Sequence, residues 1–379
     1  MKTVIVLGST GSIGTSTLDI VRRHPDLFRV VALSAHTDIT TLERQIKEFR
    51  PLAAAMAGTA AITPLPGGTT FFAGADGLLS MIKETDADIV VNGIAGSAGM
   101  LSSFAAIESG KALALANKET IVMAGPLLLR EAAKNNLPVI PVDSEHSAIF
   151  HLLGQDRRPV LEEIILTASG GAFRDLPKEK LEHVALEDAL NHPNWDMGPK
   201  ITIDSSTMAN KALEVIEANL LFHLPLEKIR VVIHPQSFVH SLIRTTDGSL
   251  YAQLSRPDMR IPIQNALTWP DLLDVGFGRL DIEHCTLEFR PVDFIKYPLL
   301  ALGYSACREG GALPTVFNAA NEEAVAAFIS REIRYNDIAA VVEEALSASW
   351  TNLNTTLDDV ILNDTLARQK TREILLRKR

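Results

Sequence analysis

Val4-Ile5-Val6-Leu7 runs directly into Gly8-Ser9-Thr10-Gly11-Ser12-Ile13-Gly14, an apolar run followed by glycines spaced as GxxGxxG. Four consecutive apolar residues predict a strand buried on both faces. Residues 15–24 carry a helical pattern, so the last glycine opens a helix. Glycines permit a tight turn and close backbone approach, and the amides of a helix N-terminus face a pyrophosphate well. The pattern points to a dinucleotide held by Gly8, Ser9, Thr10, Gly11, Ser12, Ile13 and Gly14. The plain alternative is a Gly-rich strand–helix turn with no ligand.

Outward from this loop the same alternation repeats. Apolar runs at 30–33, 53–57, 89–91, 112–115 and 139–142 alternate with helical patterns at 40–49, 77–85, 100–109 and 120–135. The chain is therefore expected to be α/β, with a Rossmann-like parallel sheet over residues 1–143 covered by helices on both faces. After Asp143 the character changes. Buried strands at 164–168 and 228–234, and a hairpin signal at Asp247-Gly248 between 237–244 and 249–254, predict a central α+β catalytic domain with a mixed sheet over 144–270. Residues 271–298 hold Gly276, Gly278, Pro291 and Pro298 with little periodicity and read as a linker. Helical patterns at 314–330, 336–347 and 357–377 predict a C-terminal helical bundle over 299–379.

A length of 379 residues allows two or three domains. With 36 basic and 46 acidic residues the net charge is −10, which argues against coating nucleic acid or an anionic membrane; neither is expected as a partner. Two cysteines exclude a disulfide scaffold and a Cys-based metal site. The longest uncharged stretch, 51–75, is broken by Gly58, Pro64, Pro66, Gly67, Gly68 and Gly74, so it reads as turns rather than a membrane span. Met1-Lys2-Thr3 enters the first strand at once, leaving no room for a signal peptide, and a cytoplasmic location is expected.

Several segments carry groups suited to chemistry. At the end of the second strand Ser34, His36 and Thr37 stand with no carboxylate before Asp38, which favours NADP held by hydrogen bonds, though no Lys or Arg is there. Asp143-Ser144-Glu145 closes the sixth strand, where residues i and i+2 share a face. Two carboxylates there repel unless a cation or proton lies between them, and an oxygen-rich site suits Mg²⁺ or Mn²⁺. A surface pair at a domain boundary is the alternative. In 204–214, Ser205 or Ser206 can cap a helix that sets Asn210, Lys211 and Glu214 near one face, fit for a phosphate beside a metal or simply for solvent. Ser169-Gly170-Gly171 can cradle a phosphate or form an ordinary turn. Residues 191–198 place Trp195 in a Pro/Gly-bounded loop, a mobile flap or a packed anchor. His234 at a strand end is structural or catalytic.

Taken in order, 8–14, Ala116-Asn117-Lys118-Glu119, Asp143-Ser144-Glu145, Ser169-Gly170-Gly171, 192–198, 204–214, His234-Pro235-Gln236-Ser237 and Pro257-Asp258-Met259-Arg260 resemble the 1-deoxy-D-xylulose 5-phosphate reductoisomerases over essentially the whole chain. The resemblance implies an NADPH-dependent oxidoreductase of the non-mevalonate isoprenoid route. It implies a homodimer that uses Mg²⁺, Mn²⁺ or Co²⁺, takes a small phosphorylated sugar and is inhibited by fosmidomycin-type phosphonohydroxamates. Asp143, Glu145 and Glu214 match the metal ligands. Lys118, Ser144, Glu145, Ser169, His192, Trp195, Ser205, Asn210, Lys211 and Glu214 match the substrate site. Asn117, Glu119, Met197 and Gly198 join the glycine loop at the coenzyme, and Lys118 and Glu145 are the catalytic candidates. Many family members carry Lys, Arg or Asn around His36, Thr37 and Asp38; this chain has no cation there, and Asp38 could even tolerate NADH. The implied reaction is a metal-assisted retro-aldol/aldol rearrangement followed by hydride reduction. A semialdehyde or homoserine-type NADP dehydrogenase without rearrangement is the alternative; it leaves Asp143, Glu145 and Glu214 without a joint purpose.

Overall fold

The computed structural model describes residues 1–58, 68–154, 160–195, 197–274, 276–350 and 353–378. Seven strands, β1 (Lys2–Leu7), β2 (Phe28–Ala35), β3 (Ala53–Met56), β4 (Thr70–Ala73), β5 (Ile89–Asn92), β6 (Ala112–Leu115) and β7 (Val139–Pro141), make one sheet in the order β4-β3-β2-β1-β5-β6-β7. Every neighbouring pair is parallel. Helices α1 (Ser12–Arg23), α2 (Ile39–Phe49), α3 (Gly74–Glu84), α4 (Met100–Glu108), α5 (Lys118–Lys134) and α6 (Ser144–Leu153) follow the strands. The order reverses between β1 and β5, so their carboxyl ends flank the crevice where such sheets bind ligands. β4 is one strand more than the apolar runs foretell. It lies at the sheet edge, half exposed, inside the stretch read as turns. Residues 59–67 of that stretch, with Pro64 and Pro66, lie outside the described residues.

The second sheet is mixed, as expected. β8 (Leu161–Ala168), β9 (Ile229–Ile233), β10 (Val239–Thr245), β11 (Leu250–Leu254) and β12 (Arg290–Pro291) take the order β11-β10-β8-β9-β12, with only β8 and β9 parallel. The other helices are α7 (Leu186–Ala189), α8 (Pro199–Thr207), α9 (Ala209–Phe222), α10 (Arg260–Thr268), α11 (Pro298–Glu309), α12 (Leu313–Ile329), α13 (Tyr335–Leu346) and α14 (Leu357–Lys378).

The chain divides into two compact units. One comprises Met1–Thr120, Leu128–Ser147 and Asp258–Gly278; the other comprises Ile121–Leu127, Ala148–Pro257 and Arg279–Arg379. These edges differ from those expected at 143/144 and 270/271. The segment with α10 belongs to the first unit because α10 packs on α1. There Lys2 Nζ donates to Leu267 O at 2.8 Å, and Arg260 bonds Asp19 at 2.9 Å and covers the Phe277 ring at 4.3 Å. The C-terminal helices share one apolar core with the mixed sheet, from Ile164 and Leu166 through Leu213 and Ile216 to Phe317 and Val341. Gly303 of α11 lets that helix approach α9, since a Cβ would lie 2.5 Å from Ala212 Cβ.

Pro126 bends α5. It brings no N–H to the helix ladder, and Ala124 turns non-helical at φ −134°. Met123 O, beside the bend, accepts from Thr315 Oγ1 and Asn354 Nδ2, both at 3.3 Å.

Candidate active site

The glycine loop has the build its spacing foretold. Gly8 sits at φ +68°, and a Cβ there would lie 3.0 Å from Gly93 O. A Cβ on Gly14 would overlap the backbone of Gly8 and Ser9, so α1 begins hard against β1 only because residue 14 is glycine. No side chain caps α1 at Gly11, which leaves its first-turn amides to a ligand. Ser9 serves the loop itself: its hydroxyl donates to Gln45 Oε1 at 2.7 Å, and Gln45 Nε2 donates to Ser9 O at 2.8 Å. Sequence reasoning passed over Gln45. Its signal was an amide on the buried face of α2, beside Leu42 and Ile46.

The β2 end differs from expectation. Ser34 is buried, and its hydroxyl accepts the Gly8 N–H at 3.1 Å, so it helps to hold the loop. Asp38 caps α2 by accepting the Thr41 N–H at 3.0 Å, and that bond holds its carboxyl below the usual range. His36 and Thr37 remain exposed.

Asp143 and Glu145 are not strand residues. β7 stops at Pro141; Asp143 lies in the turn, and Glu145 lies in the first turn of α6. The shared face argued from strand alternation is therefore replaced by helix-start geometry. Asp143 Oδ1 accepts the Glu145 N–H at 3.1 Å, which satisfies one of the free amides at the start of α6. Asp143 Oδ1 also lies 3.1 Å from His146 Nδ1, and Oδ2 accepts Lys118 Nζ at 2.6 Å. His146, three residues on from Asp143, was missed. Ser144 Oγ donates to the Glu145 carboxylate at 2.5 Å. Asn117 caps α5 by accepting the Thr120 N–H at 3.0 Å. Its amide donates to Ile94 O at 2.6 Å, Gly96 O at 2.7 Å and Glu119 Oε2 at 3.2 Å. Asn117 thus fixes the start of α5, where Lys118 stands.

The second unit gathers the phosphate candidates. Ser169 follows β8, and Gly170 and Gly171 take φ +81° and +66°. Ser169 Oγ accepts the Gly171 N–H at 3.2 Å and lies 3.4 Å from Ser205 Oγ. Ser205 belongs to the last turn of α8 and does not cap the next helix; Met208, at φ +63°, separates α8 from α9. On α9, Asn210 Nδ2 and Lys211 Nζ donate to the two oxygens of Glu214 at 2.6 and 2.5 Å, so these three do share a face.

In the 192–195 loop, His192 Nδ1 accepts the amides of Asn194 at 3.1 Å and Trp195 at 3.0 Å. Its proton therefore sits on Nε2, which donates to Ser169 Oγ at 2.8 Å. Burial, then the charge of Arg174, pushes this imidazole down to about 4. The Trp195 ring lies 6.4 Å from that of His240. Met197 is half-buried, Gly198 precedes α8, and Asp196 lies outside the described residues. His234 is structural: Nε2 accepts the amides of Phe238 and Val239, each at 3.1 Å, and Nδ1 donates to Glu288 O at 2.8 Å.

Known proteins are similar to this chain in sequence and fold. The model of 1-deoxy-D-xylulose 5-phosphate reductoisomerase matches residues 4–125, its C-terminal domain model residues 139–222, and the DXP reductoisomerase C-terminal domain model residues 254–370. The reductoisomerase of Synechococcus sp. is 48% identical over 389 residues, covering 97% of each chain. That of Geobacillus kaustophilus is 48% identical, covering 99% of this chain and 100% of its own. The Zymomonas mobilis reductoisomerase, solved in complex with NADPH, superposes with a TM-score of 0.92 at 39% identity, covering 99% of both chains. A DOX-P reductoisomerase solved with NADPH, fosmidomycin and magnesium gives a TM-score of 0.91 at 35% identity, covering 99% of this chain and 98% of that one. Matched from its first strand to its last helix, this chain belongs to the 1-deoxy-D-xylulose 5-phosphate reductoisomerase family.

Proposed function

We propose that the chain rearranges 1-deoxy-D-xylulose 5-phosphate and reduces the product to 2-C-methyl-D-erythritol 4-phosphate with NADPH and a divalent cation, in the non-mevalonate route to isoprenoids. The end-to-end match to reductoisomerases carries the reading. A dehydrogenase without rearrangement would have no use for Asp143, Glu145 and Glu214 together.

The residues present fit both cofactors. The close approach allowed by Gly8 and Gly14, and the uncapped start of α1, suit a pyrophosphate. Asp143, Glu145 and Glu214 offer hard oxygen donors for Mg²⁺, Mn²⁺ or Co²⁺, and Asp143 and Glu214 each draw a lysine ammonium in the structure. The bound ion supplies Lewis-acid stabilisation of charge on the substrate oxygens.

The chain's own residues do the rest. Ser169, Ser205, Asn210 and Lys211 grip the phosphate, remote from the reacting carbons, and so fix orientation. Ser144 and His192 hold hydroxyl and phosphate oxygens. The C3–C4 bond breaks in a retro-aldol sense and a new C–C bond forms, giving a branched aldehyde. Lys118 stands at the reacting oxygens, held at the start of α5 by Asn117, and Glu145 is the candidate for proton transfer. Glu119, Met197 and Gly198 would hold the coenzyme, which would supply the hydride that reduces the aldehyde. Trp195 closes over the intermediate and excludes water.

Fosmidomycin-type phosphonohydroxamates fill the same phosphate and metal positions. The working unit is a homodimer, as the resemblance to the reductoisomerases implies. Cys285 and Cys307 are both free thiols, which fits a reducing compartment such as the cytoplasm. Among the described residues no helix is long and apolar enough to cross a membrane.

The test is the loss of NADPH absorbance on adding 1-deoxy-D-xylulose 5-phosphate, with and without Mg²⁺ or Mn²⁺, run in parallel with NADH. Metal-dependent oxidation is expected. Oxidation that ignores the metal, or none with any metal, would overturn the reading.

A further inference from the structure

Arg174 lies directly behind the Ser169-Gly170-Gly171 turn, with 19% of its side chain exposed. Its Nη1 donates to two carbonyls, Ser169 O and Pro235 O, each at 3.2 Å. Pro235 O also accepts the flap amide Asn194 Nδ2 at 2.6 Å, and the same amide donates to Ser237 Oγ at 2.8 Å. One guanidinium nitrogen therefore ties the turn that bears Ser169 to the carbonyl on which the flap rests. Gly170 folds over the arginine stem, for a Cβ there would lie 2.7 Å from Arg174 Cβ. The neighbouring carboxylate, Asp175, is 67% exposed, meets Arg174 Nε at 3.3 Å and is shared with Arg290 at 2.6 Å. An exposed, shared carboxylate screens little of the charge at the buried end of the guanidinium.

We propose that Arg174 is a positioning residue for the substrate's phosphate: it locks Ser169 and the flap into one register and places a positive charge beneath the turn. The proposal rests on the reading that Ser169, Ser205, Asn210 and Lys211 face that phosphate. A turn with two successive left-handed glycines is soft, and a charge-assisted bond to its first carbonyl removes that freedom before the ligand arrives. The same cation opposes protonation of His192, whose neutral ring must accept two flap amides at Nδ1 and donate to Ser169. Lysine is not equivalent, because its ammonium on a flexible stem lacks the planar guanidinium that fixes Nη1 against both carbonyls while Nε meets Asp175.

The test compares Arg174→Met, Arg174→Lys and Lys211→Gln with the wild-type holoenzyme. Arg174→Met is expected to raise KM for 1-deoxy-D-xylulose 5-phosphate about tenfold with kcat changed less than about threefold, the scale of one lost charge-assisted bond. Inhibition by inorganic phosphate should weaken in step, while KM for NADPH stays at its wild-type value. Arg174→Lys, which keeps charge and stem, should fall between the two. Wild-type KM and phosphate inhibition in both Arg174 variants would overturn the proposal. So would a loss in which KM for NADPH, kcat and melting temperature all move together, the mark of a merely structural arginine. If Lys211→Gln leaves KM for the sugar phosphate unchanged, the phosphate assignment itself fails; if Lys211→Gln raises it and Arg174→Met does not, only the role of Arg174 fails.

Discussion

Gly171→Ala perturbs the phosphate-side turn at its tightest point. Gly171 has φ +66°, and a Cβ there would lie 2.5 Å from Ser206 Cα and 2.7 Å from Ser205 O. The left-handed backbone alone costs an alanine about 1–2 kcal/mol. Ordinary contact begins near 3.4 Å, so the turn and the last turn of α8 must part by about 0.9 Å. The obstacle is backbone, which yields only with its helix, and overpacking of this kind costs about 1–3 kcal/mol. The two terms come to about 2–5 kcal/mol, borne partly by the fold and partly by the spacing between Ser169 and Ser205. If only about 2 kcal/mol falls on binding, KM for 1-deoxy-D-xylulose 5-phosphate rises about thirtyfold. KM for NADPH should hold, because the glycine loop belongs to the other unit. Steady-state kinetics in each substrate, with a melting curve, reads all three quantities. A variant with wild-type KM for the sugar phosphate and an unchanged melting temperature would refute the close approach of this turn to α8.

Glu214→Gln should abolish metal-dependent turnover, by at least about a hundredfold, while titration shows NADPH still bound; full activity would unseat Glu214 as a metal ligand. Thr37→Arg should tighten NADPH more than NADH, since Thr37 is exposed just past the end of β2, where dinucleotide sites of this fold read the ribose; an unchanged ratio of the two KM values would place the 2′-phosphate elsewhere. Acid should loosen the flap. Burial and the charge of Arg174 hold the His192 imidazole down to about 4 from its ordinary 6.5, so the neutral ring that accepts the two loop amides is fully favoured above 6.5 and is lost as pH falls toward 4. The KM for the sugar phosphate should therefore climb through this window in the wild type and stay flatter in His192→Gln; parallel profiles would contradict it.

The first sheet was legible because a strand buried on both faces is written as a continuous apolar run, as in Val4-Ile5-Val6-Leu7 and Ile89-Val90-Val91. β4 was not, since an edge strand with Thr70 and Ala73 exposed has neither such a run nor a clean alternation. Asp143 and Glu145 were rightly singled out as groups and wrongly given a strand: an Asp ahead of Ser-Glu is also a helix-start signature, and the amide bond to Glu145 decides for the helix. The break at Met208 carried no signal, because methionine seldom takes a positive φ and only the packing around it enforces one. Arg174 escaped notice, and His234 was noticed with its role left open, for another reason. Their partners, Pro235 and Glu288, stand 61 and 54 residues away, and no local pattern encodes a bond of that span.

The interleaving of the two units has a consequence for synthesis. The coenzyme-loop unit takes its last segment from Asp258–Gly278, after the whole of Ala148–Pro257. Lys2 finds the Leu267 carbonyl, and Asp19 of α1 finds Arg260, only when that segment emerges from the ribosome. Until then the side of α1 that will receive α10 stays bare on the nascent chain. Translation of the intervening segment thus sets a waiting time, and during that wait the strand–helix start of the protein is most open to misassociation.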